Sequence, residues 1–122
     1  MTGERKALGQ FGEHAACEHL SRAGLRILER NVRLQGGELD IVARDGEMLV
    51  VVEVRARRSR RLGTPEESIT KAKAQRLARL GEAYVQERGL GKTPWRIDVV
   101  AIDVSAQGTV TRLEHYKNAV EA

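Results

Sequence analysis

The spacing of apolar residues along the chain predicts two helices and five strands in the order α-β-β-β-α-β-β. The first helix is expected over residues 3–23, where small and apolar residues recur on one face. Those residues are Gly9, Gly12, Ala16, Leu20 and Ala23. Gly24 is suited to end this helix, because glycine readily takes the left-handed conformation found at helix C-termini. A face of such small residues predicts that the helix packs closely against a sheet.

Segments rich in apolar and β-branched residues predict strands over residues 26–33, 39–44, 47–56, 95–104 and 109–116. The Asp-Gly pair at 45–46 favours a two-residue type I′ hairpin turn, since both residue types tolerate a positive φ. This turn sets the register of the hairpin, with Arg44 opposite Glu47 and Glu38 opposite Glu53. One face of the hairpin is then wholly apolar, and we expect it to belong to the core.

A capping box predicts the start of the second helix. Thr64 is the expected N-cap, Pro65 stands at the first helical position, and Glu67 completes the box. The apolar stripe of this helix consists of Ile69, Leu77, Leu80 and Tyr84. Gly89 is expected to end it. Two helices with segregated strands indicate an α/β fold, in which helices flank a mixed β-sheet.

Composition narrows the classes of function. The 122 residues contain no repeat or linker, so a single domain over residues 1–122 is expected. Aromatic residues are only 3% of the chain, which disfavours a protein that stacks successive bases on aromatic rings, and the net charge of +4 suits a polyanionic partner. The single cysteine, Cys17, excludes an internal disulfide. No segment is apolar enough for a signal peptide or membrane span, so a cytoplasmic protein without a membrane partner is expected.

Acidic residues interrupt the second face of the predicted hairpin. In the predicted register Asp40 and Glu53 are diagonal neighbours with Cβ atoms roughly 7 Å apart, close enough for both carboxylates to reach one cation. The alternative is a solvated strand end whose acids pair with Arg55 or with other arginines. The hairpin by itself supports both interpretations equally.

Two charged residues on the predicted helices favour the cation site. Glu13 lies at the edge of the small face of the first helix, where it also suits a boundary position with its carboxylate in water. Lys73 falls in the middle of the inward stripe of the second helix, where a lysine can also extend its amine to solvent. With Asp40 and Glu53, charges on four separate segments point to one site.

A basic segment follows the third strand. Five of the seven residues from 55 to 61 are arginine, and we call residues 57–63 the basic loop. Charge runs are commonly solvated surface loops. Beside an acidic cation site, contact with a phosphate backbone is the better interpretation, because acids alone would repel a nucleic acid. The candidate nucleic-acid-binding residues are Arg57, Arg58, Arg60 and Arg61.

Five short motifs, distributed over nearly the whole chain, carry a family resemblance. They are Gly12-Glu13, Asn31-Val32-Arg33, Gly37-Glu38-Leu39-Asp40, Val52-Glu53-Val54-Arg55 and Arg96-Ile97-Asp98-Val99-Val100. The chain resembles the YraN-like family of small uncharacterised bacterial proteins. That family is grouped with the restriction-endonuclease-like superfamily of PD-(D/E)xK nucleases and is similar to archaeal-type Holliday junction resolvases. The resemblance implies a restriction-endonuclease-like core, one acidic metal site and hydrolysis of phosphodiester bonds.

The resemblance also implies a role for each candidate residue. Asp40 and Glu53 match the two acids of the motif and Glu13 matches a helical glutamate of the resolvase-like branch, which implies that these three residues bind Mg²⁺ or Mn²⁺. Arg55 stands where the motif has lysine. Arginine can stabilise charge on a phosphate but is effectively never deprotonated. Lys73 is therefore the candidate that supplies the missing ammonium.

The leading hypothesis is a Mg²⁺- or Mn²⁺-dependent endonuclease. Its expected catalytic residues are Glu13, Asp40, Glu53, Arg55 and Lys73. The expected substrate is DNA, branched or otherwise structured, and a homodimer is expected from the resemblance to resolvases. The alternatives are a non-catalytic nucleic-acid-binding module on the same fold and an adaptor whose basic loop meets an acidic protein. Asp98 fits the family signature or a buried acid paired with an arginine, and Glu38 has no assigned role.

Overall fold

The computed structural model describes residues 2–120 of the chain. Within this range two α-helices and five strands follow the predicted order. The helices are α1 (Thr2–Arg22) and α2 (Lys71–Glu87), and the strands are β1 (Arg26–Leu34), β2 (Gly37–Asp45), β3 (Met48–Arg57), β4 (Trp95–Val104) and β5 (Val110–Val120). A 3₁₀ turn, Glu66–Ser68, precedes α2. Neither α1 nor α2 is long and apolar enough to cross a membrane.

The five strands form one mixed sheet in the order β1-β2-β3-β4-β5. Neighbouring strands are antiparallel except for β3 and β4, which are parallel. A parallel pair needs a long connection, and here that connection contains α2. Helix α1 packs on one face of the sheet and α2 on the other. The predicted α/β class and the mixed sheet with flanking helices are confirmed.

The two faces of the sheet carry separate apolar cores. The core under α1 contains Ala16, Leu20, Leu25, Ile41, Ala43, Val50, Val52, Val100, Ile102 and Val104. The core under α2 contains Val32, Leu39, Val42, Leu49, Val51, Leu77, Leu80, Tyr84, Val85, Ile97, Val99 and Val120. Because both faces are covered, the first part of β3 is buried on both sides and reads as an unbroken apolar run. Both faces of the β2–β3 hairpin contribute residues to a core, whereas the sequence predicted that only one face would.

The small face of α1 allows the close approach that its sequence predicts. A Cβ atom added at Gly12 would lie 2.9 Å from the Cβ of Ala56 on β3. Ala23 does not belong to this face: α1 ends at Arg22, and Ala23 is exposed. Gly24, at φ 98°, ends the helix as expected, with its N–H bonded to the carbonyl of Ser21.

We expect Gly12→Ala to destabilise the protein by about 1–3 kcal/mol, because the added methyl must displace the helix or the β3 backbone. Gly9→Ala is the matched control on the same helix. A Cβ atom at Gly9 meets nothing within 4 Å, so this change should stabilise the protein by about 0.5–1 kcal/mol. Urea unfolding measures both differences. Equal effects of the two substitutions would contradict close packing at Gly12.

The turn of the β2–β3 hairpin differs from the prediction. Gly46 and Glu47 form the two-residue loop, and Arg44 pairs with Leu49 instead of Glu47. The predicted type I′ turn needs a positive φ at both loop residues. Here Gly46 has a φ of 62° and Glu47 does not have a positive φ, which is the pattern of a type II′ turn with glycine first.

The corrected register changes the geometry of the acids. The paired part of the hairpin runs as far as Ile41, which lies opposite Val52. The ladder stops at Ile41, and beyond it the Asp40 side chain accepts a bond from the Val54 N–H, so the diagonal pairing predicted for Asp40 and Glu53 does not form. The predicted pair of Glu38 with Glu53 is wrong for the same reason.

The second helix begins later than predicted. Thr64 and Glu67 do form the reciprocal bonds of a capping box: the Thr64 N–H donates to Glu67 Oε1 at 2.8 Å, and the Glu67 N–H donates to Thr64 Oγ1 at 3.3 Å. These bonds close only the 3₁₀ turn. Ile69 then takes an extended conformation and packs against the core, and Thr70 becomes the N-cap of α2. The start predicted at Thr64 is therefore wrong, because core packing of Ile69 interrupts the helical backbone.

Candidate functional site

Asp40 and Glu53 meet where the hydrogen-bond ladder between β2 and β3 stops. Asp40 Oδ2 accepts a bond of 2.9 Å from the Val54 N–H, so this carboxylate takes the place of a strand carbonyl. Glu53 lies close enough to Asp40 for the charge of Asp40 to raise the pKa of Glu53. The side chain of Glu53 is only 14% exposed. The two predicted acids therefore form one partly buried carboxyl pair.

The surroundings of the pair keep a proton on it. Burial raises the pKa of Glu53 to about 8, and the charge and hydrogen bond of Asp40 act in the same direction. The positive charges of Arg55 and Lys73 oppose this increase without cancelling it. At neutral pH the carboxyl group of Glu53 is therefore mostly protonated, which removes the repulsion between the two acids.

Glu13 approaches the pair from α1 and is half-buried. Burial and the charge of Asp40 raise the pKa of Glu13, whereas Arg30 and a hydrogen bond from the Asn31 side chain lower it. Asn31 has a positive φ of 52°, a conformation that asparagine tolerates better than most residues. Sequence reasoning did not assign a role to Asn31. Its signal is an asparagine within a predicted strand, where this residue type is depleted.

Arg55 is held in a defined orientation above the pair. Its Nε–H donates to Ser68 Oγ at 2.8 Å, and its Nη1 lies 3.6 Å from Glu53 Oε2. Ser68 belongs to the 3₁₀ turn that replaces the predicted first part of α2. Sequence reasoning missed Ser68, because the contact depends on the tertiary position of that turn. Arg55 retains guanidinium N–H groups for a further acceptor.

Lys73 lies in the first turn of α2 and is half-buried. Burial lowers the pKa of Lys73, and the charge of Arg55 lowers it further, whereas Glu53 raises it. Lys73 is therefore close enough to Glu53 and Arg55 for electrostatic interaction. It forms no direct ion pair within residues 2–120. The fold thus brings Glu13, Asp40, Glu53 and Arg55 to one cleft, whereas Lys73 does not line that cleft and is linked to these residues only through its charge.

A cleft of about 730 Å³ opens over this region. Glu13, Asp40 and Glu53 line it together with Arg5 from α1 and with Arg55, Arg57 and Arg58 from β3 and the basic loop. Leu62 and Leu8 add apolar surface. We call this the site cleft. It combines partly buried acids with a basic rim.

The site cleft offers few oxygen donors to a divalent cation. Among the described residues there is no group of three or more histidine, cysteine, aspartate or glutamate side chains placed to hold a metal ion. The donors in contact are the carboxyl groups of Asp40 and Glu53, with Glu13 coupled to Asp40 by its charge. Mg²⁺ is commonly bound through one or two carboxylates, with water and substrate phosphate completing the shell. The pair fits a hard cation of this kind.

The basic loop is divided between two environments. Arg57 and Arg58 line the site cleft, and Arg61 lies beside Leu62 in a neighbouring pocket. Arg60 Nη2 instead donates to Asp103 Oδ2 at 2.7 Å. The four predicted nucleic-acid-binding arginines are therefore not equivalent to one another, because Asp103 at the end of β4 already binds the guanidinium of Arg60.

Arg60 belongs to an ion-pair cluster that fastens the basic loop to the sheet. Arg112 on β5 donates to Asp103 at 2.6 Å and binds Glu66 through two bonds of 2.6 and 3.1 Å. The hydrogen bonds from Arg112, together with one from Tyr116, lower the pKa of Glu66 to about 2, although burial by itself would raise it. The cluster thus joins the loop, the 3₁₀ turn and the last two strands.

We expect Glu66→Gln to be less stable than wild type by about 1 kcal/mol at neutral pH, a value reduced for solvent screening. The pKa of Glu66 in the folded state, about 2, lies below its ordinary value of 4.5. This contribution is therefore complete above pH 4.5 and is lost as the pH falls toward 2. Urea unfolding over this range measures it, with Glu87→Gln at the exposed end of α2 as control. A difference that persists at pH 2 would contradict the ion pair.

Asp98 has a structural role in this sheet. It is fully buried, and its carboxylate accepts bonds from the Arg96 guanidinium at 2.9 and 3.1 Å, from the Asn118 N–H at 2.8 Å, and pairs with His115 Nε2 at 2.8 Å. Burial alone would raise the pKa of Asp98, but these bonds outweigh it and lower the pKa. Of the two interpretations of Asp98, the structure shows the buried acid paired with an arginine.

Comparison with known proteins places the chain in a family. The model of the Uncharacterised protein family UPF0102 matches residues 12–102. The chain belongs to the UPF0102 family. The matched range includes all five candidate catalytic residues and the basic loop. It confirms the resemblance carried by the five sequence motifs.

Relatives in the UPF0102 family extend over almost the entire chain. A UPF0102 protein of Roseiflexus castenholzii is 48% identical over 122 residues, covering 99% of this chain and 98% of the relative. One of Pelotomaculum thermopropionicum is 46% identical over 119 residues, covering 98% and 99%. One of Symbiobacterium thermophilum is 45% identical over 117 residues, covering 96% and 98%. The chain is therefore similar in length to these UPF0102 proteins.

Proposed function

We propose that this UPF0102 chain is a metal-dependent nuclease that hydrolyses phosphodiester bonds in DNA. The observation that carries the proposal is the carboxyl pair of Asp40 and Glu53, which line the site cleft together and are faced by Arg55. Two adjacent carboxylates repel each other unless a proton or cation lies between them. A basic rim beside them offsets the charge of an approaching phosphate backbone.

The architecture supports a restriction-endonuclease-like core. The acids lie on neighbouring strands β2 and β3 of a mixed sheet, and a helix preceding these strands contributes Glu13. Arg55 follows Glu53 by two residues on the same strand, where the PD-(D/E)xK motif has lysine. The order of elements and the positions of the acids agree with what the family resemblance implies.

Each side chain has a separate task in the proposed reaction. Asp40 and Glu53 would hold Mg²⁺ or Mn²⁺, which supplies an acidified water and neutralises phosphate charge. Glu13, which interacts with the Asn31 side chain, would add a third negative charge to the part of the site cleft where the cation would bind. Arg55, fixed by Ser68, presents its remaining N–H groups to a phosphate oxygen. Lys73, whose pKa burial lowers, provides positive charge and a proton-exchanging group, which arginine cannot supply.

A nicking assay tests the proposal. Purified protein is incubated with a four-way DNA junction in Mg²⁺ or Mn²⁺, with EDTA as control. We expect cleavage that requires the divalent cation and that stops when EDTA is added. Absence of cleavage with either cation, over a range of pH and protein concentration, would contradict nuclease activity on such DNA.

One observation favours a second candidate function, a nucleic-acid-binding module without catalysis. Arg55 replaces the expected lysine, and its guanidinium is already engaged by Ser68 and Glu53. Calorimetry with Mn²⁺ and with junction DNA separates the two candidates. DNA binding without cation binding and without cleavage would support the module.

DNA binding by either candidate should weaken steeply with salt. Each phosphate contact contributes about −0.9 to the slope of log K against log salt concentration for duplex DNA. We expect Arg58→Gln to reduce this slope by about 1. Arg60→Gln is the matched control in the same loop, because Asp103 already binds that guanidinium, and it should leave the slope unchanged. Fluorescence anisotropy between low and moderate salt measures the slopes, and equal effects of the two variants would contradict the assignment.

A further inference from the structure

Leu62 has an unusual position on this molecule. Its side chain is 83% exposed, whereas the other exposed large apolar side chains among the described residues reach at most 39%. A single exposed leucine is common on protein surfaces and by itself indicates nothing. Leu62, however, lines the site cleft together with Asp40 and Glu53. Its location beside the carboxyl pair is what requires an explanation.

The basic loop presents Leu62 on an anchored turn. The Gly63 N–H donates to the carbonyl of Arg60 at 3.0 Å, which closes a turn with Leu62 inside it. Gly63 has a φ of 98°, which suits glycine. The Arg60 guanidinium is bound to Asp103, so one end of the turn is fixed to the sheet. Because the turn is anchored, the Leu62 side chain can contact a ligand without displacement of the whole loop.

Arginines surround the exposed leucine. Arg57 and Arg61 line a pocket of about 400 Å³ with Leu62, and Arg58 lines the site cleft. Arginines that contact phosphates position a protein on the duplex. An apolar side chain between such arginines then faces the bases. Proteins that bend or open DNA use leucine and similar residues in this way, inserted between base steps.

We propose that Leu62 is a wedge that inserts at a base step of the substrate and that the chain therefore selects DNA whose stacking is already interrupted. This inference rests on the proposed function of the site cleft. Opening a fully stacked step costs free energy, and the cost is smaller where a nick, gap or branch point has already broken the stack. The wedge thus makes the chain prefer DNA in which stacking is interrupted at the base step next to the carboxyl pair.

The test uses two duplexes of identical sequence, one continuous and one nicked, each carrying a fluorescent adenine analogue that brightens when unstacked. Binding of the full chain is measured with Ca²⁺ in place of Mg²⁺. We expect wild type to brighten the analogue at the nick and to bind nicked DNA about tenfold more tightly than continuous DNA. Leu62→Ala should lose both effects, and Leu62→Met, which keeps an apolar side chain of similar length, should retain them.

Leu28→Ala is the matched control, since Leu28 is an exposed leucine on β1, 37% accessible, and does not line the site cleft. It should behave as wild type. Leu62→Ala that keeps the brightening and the preference for nicked DNA would overturn the wedge. If the wild type cleaves DNA in a metal-dependent way but never unstacks the analogue, the wedge proposal is wrong and the proposed nuclease function is unaffected. Failure of wild type to bind either duplex would overturn the wedge, whereas the proposed nuclease function is decided by the junction assay.

Discussion

Asp40→Asn is expected to reduce metal-dependent DNA cleavage by about 10³-fold or more. A cation at a reacting phosphate stabilises the transition state by several kcal/mol, and each 1.4 kcal/mol or so corresponds to a factor of ten in rate. The asparagine side chain keeps an oxygen that can accept the bond from the Val54 N–H, so the fold at the end of the ladder is preserved. The loss is therefore expected in the chemistry and not in the folding. Single-turnover cleavage of a labelled junction measures it.

Glu53→Gln should reduce the rate of metal-dependent DNA cleavage by a similar factor, since both carboxylates are expected to bind the same cation. The matched control is Glu47→Gln, an exposed residue in the turn at the other end of the same hairpin, which should cleave at the wild-type rate. Calorimetry should show that both site variants lose Mn²⁺ binding. Full cleavage by Asp40→Asn and by Glu53→Gln would exclude the carboxyl pair as the catalytic centre.

Asp98→Ala is expected to destabilise the protein by about 3–5 kcal/mol, the usual cost of removing one partner of a buried ion pair. The substitution leaves the Asn118 N–H without its acceptor and removes the principal partner of Arg96. Asn118 has a positive φ of 51° in β5, and the backbone bond to Asp98 holds this irregular segment. Urea unfolding should show a large fall in the midpoint.

The control for this prediction shares the same arginine. Asp45 also pairs with Arg96, at 3.0 Å, but its side chain is 38% exposed. Asp45→Ala should therefore cost less than about 1 kcal/mol, as is usual for exposed ion pairs. Similar losses from Asp45→Ala and Asp98→Ala would mean that burial of Asp98 does not govern its contribution.

Local signals in the sequence predicted most of the fold. Periodicity located both helices and all five strands, and Gly24 and Gly89 end the helices as expected. The errors lie where a local signal competes with tertiary packing. The capping box at Thr64 is real but closes only a short turn, because Ile69 leaves the helical conformation to reach the core. The hairpin turn was misplaced by one residue, because Asp45 pairs with Met48 at the strand end and binds Arg96 of β4, a contact that local sequence does not show.

The amino-acid sequence by itself determined which residues carry charge on the predicted inward faces, and from this it predicted that Glu13, Asp40, Glu53 and Lys73 lie near one another. Residue type and helical or strand spacing are local properties, so they can be read directly. The tertiary structure decided how these groups meet. It brought the Asp40 side chain to the Val54 N–H, next to Glu53, where the ladder stops, and it engaged Arg55 with Ser68. These contacts join segments far apart in sequence, and they depend on strand register and on packing of the whole sheet.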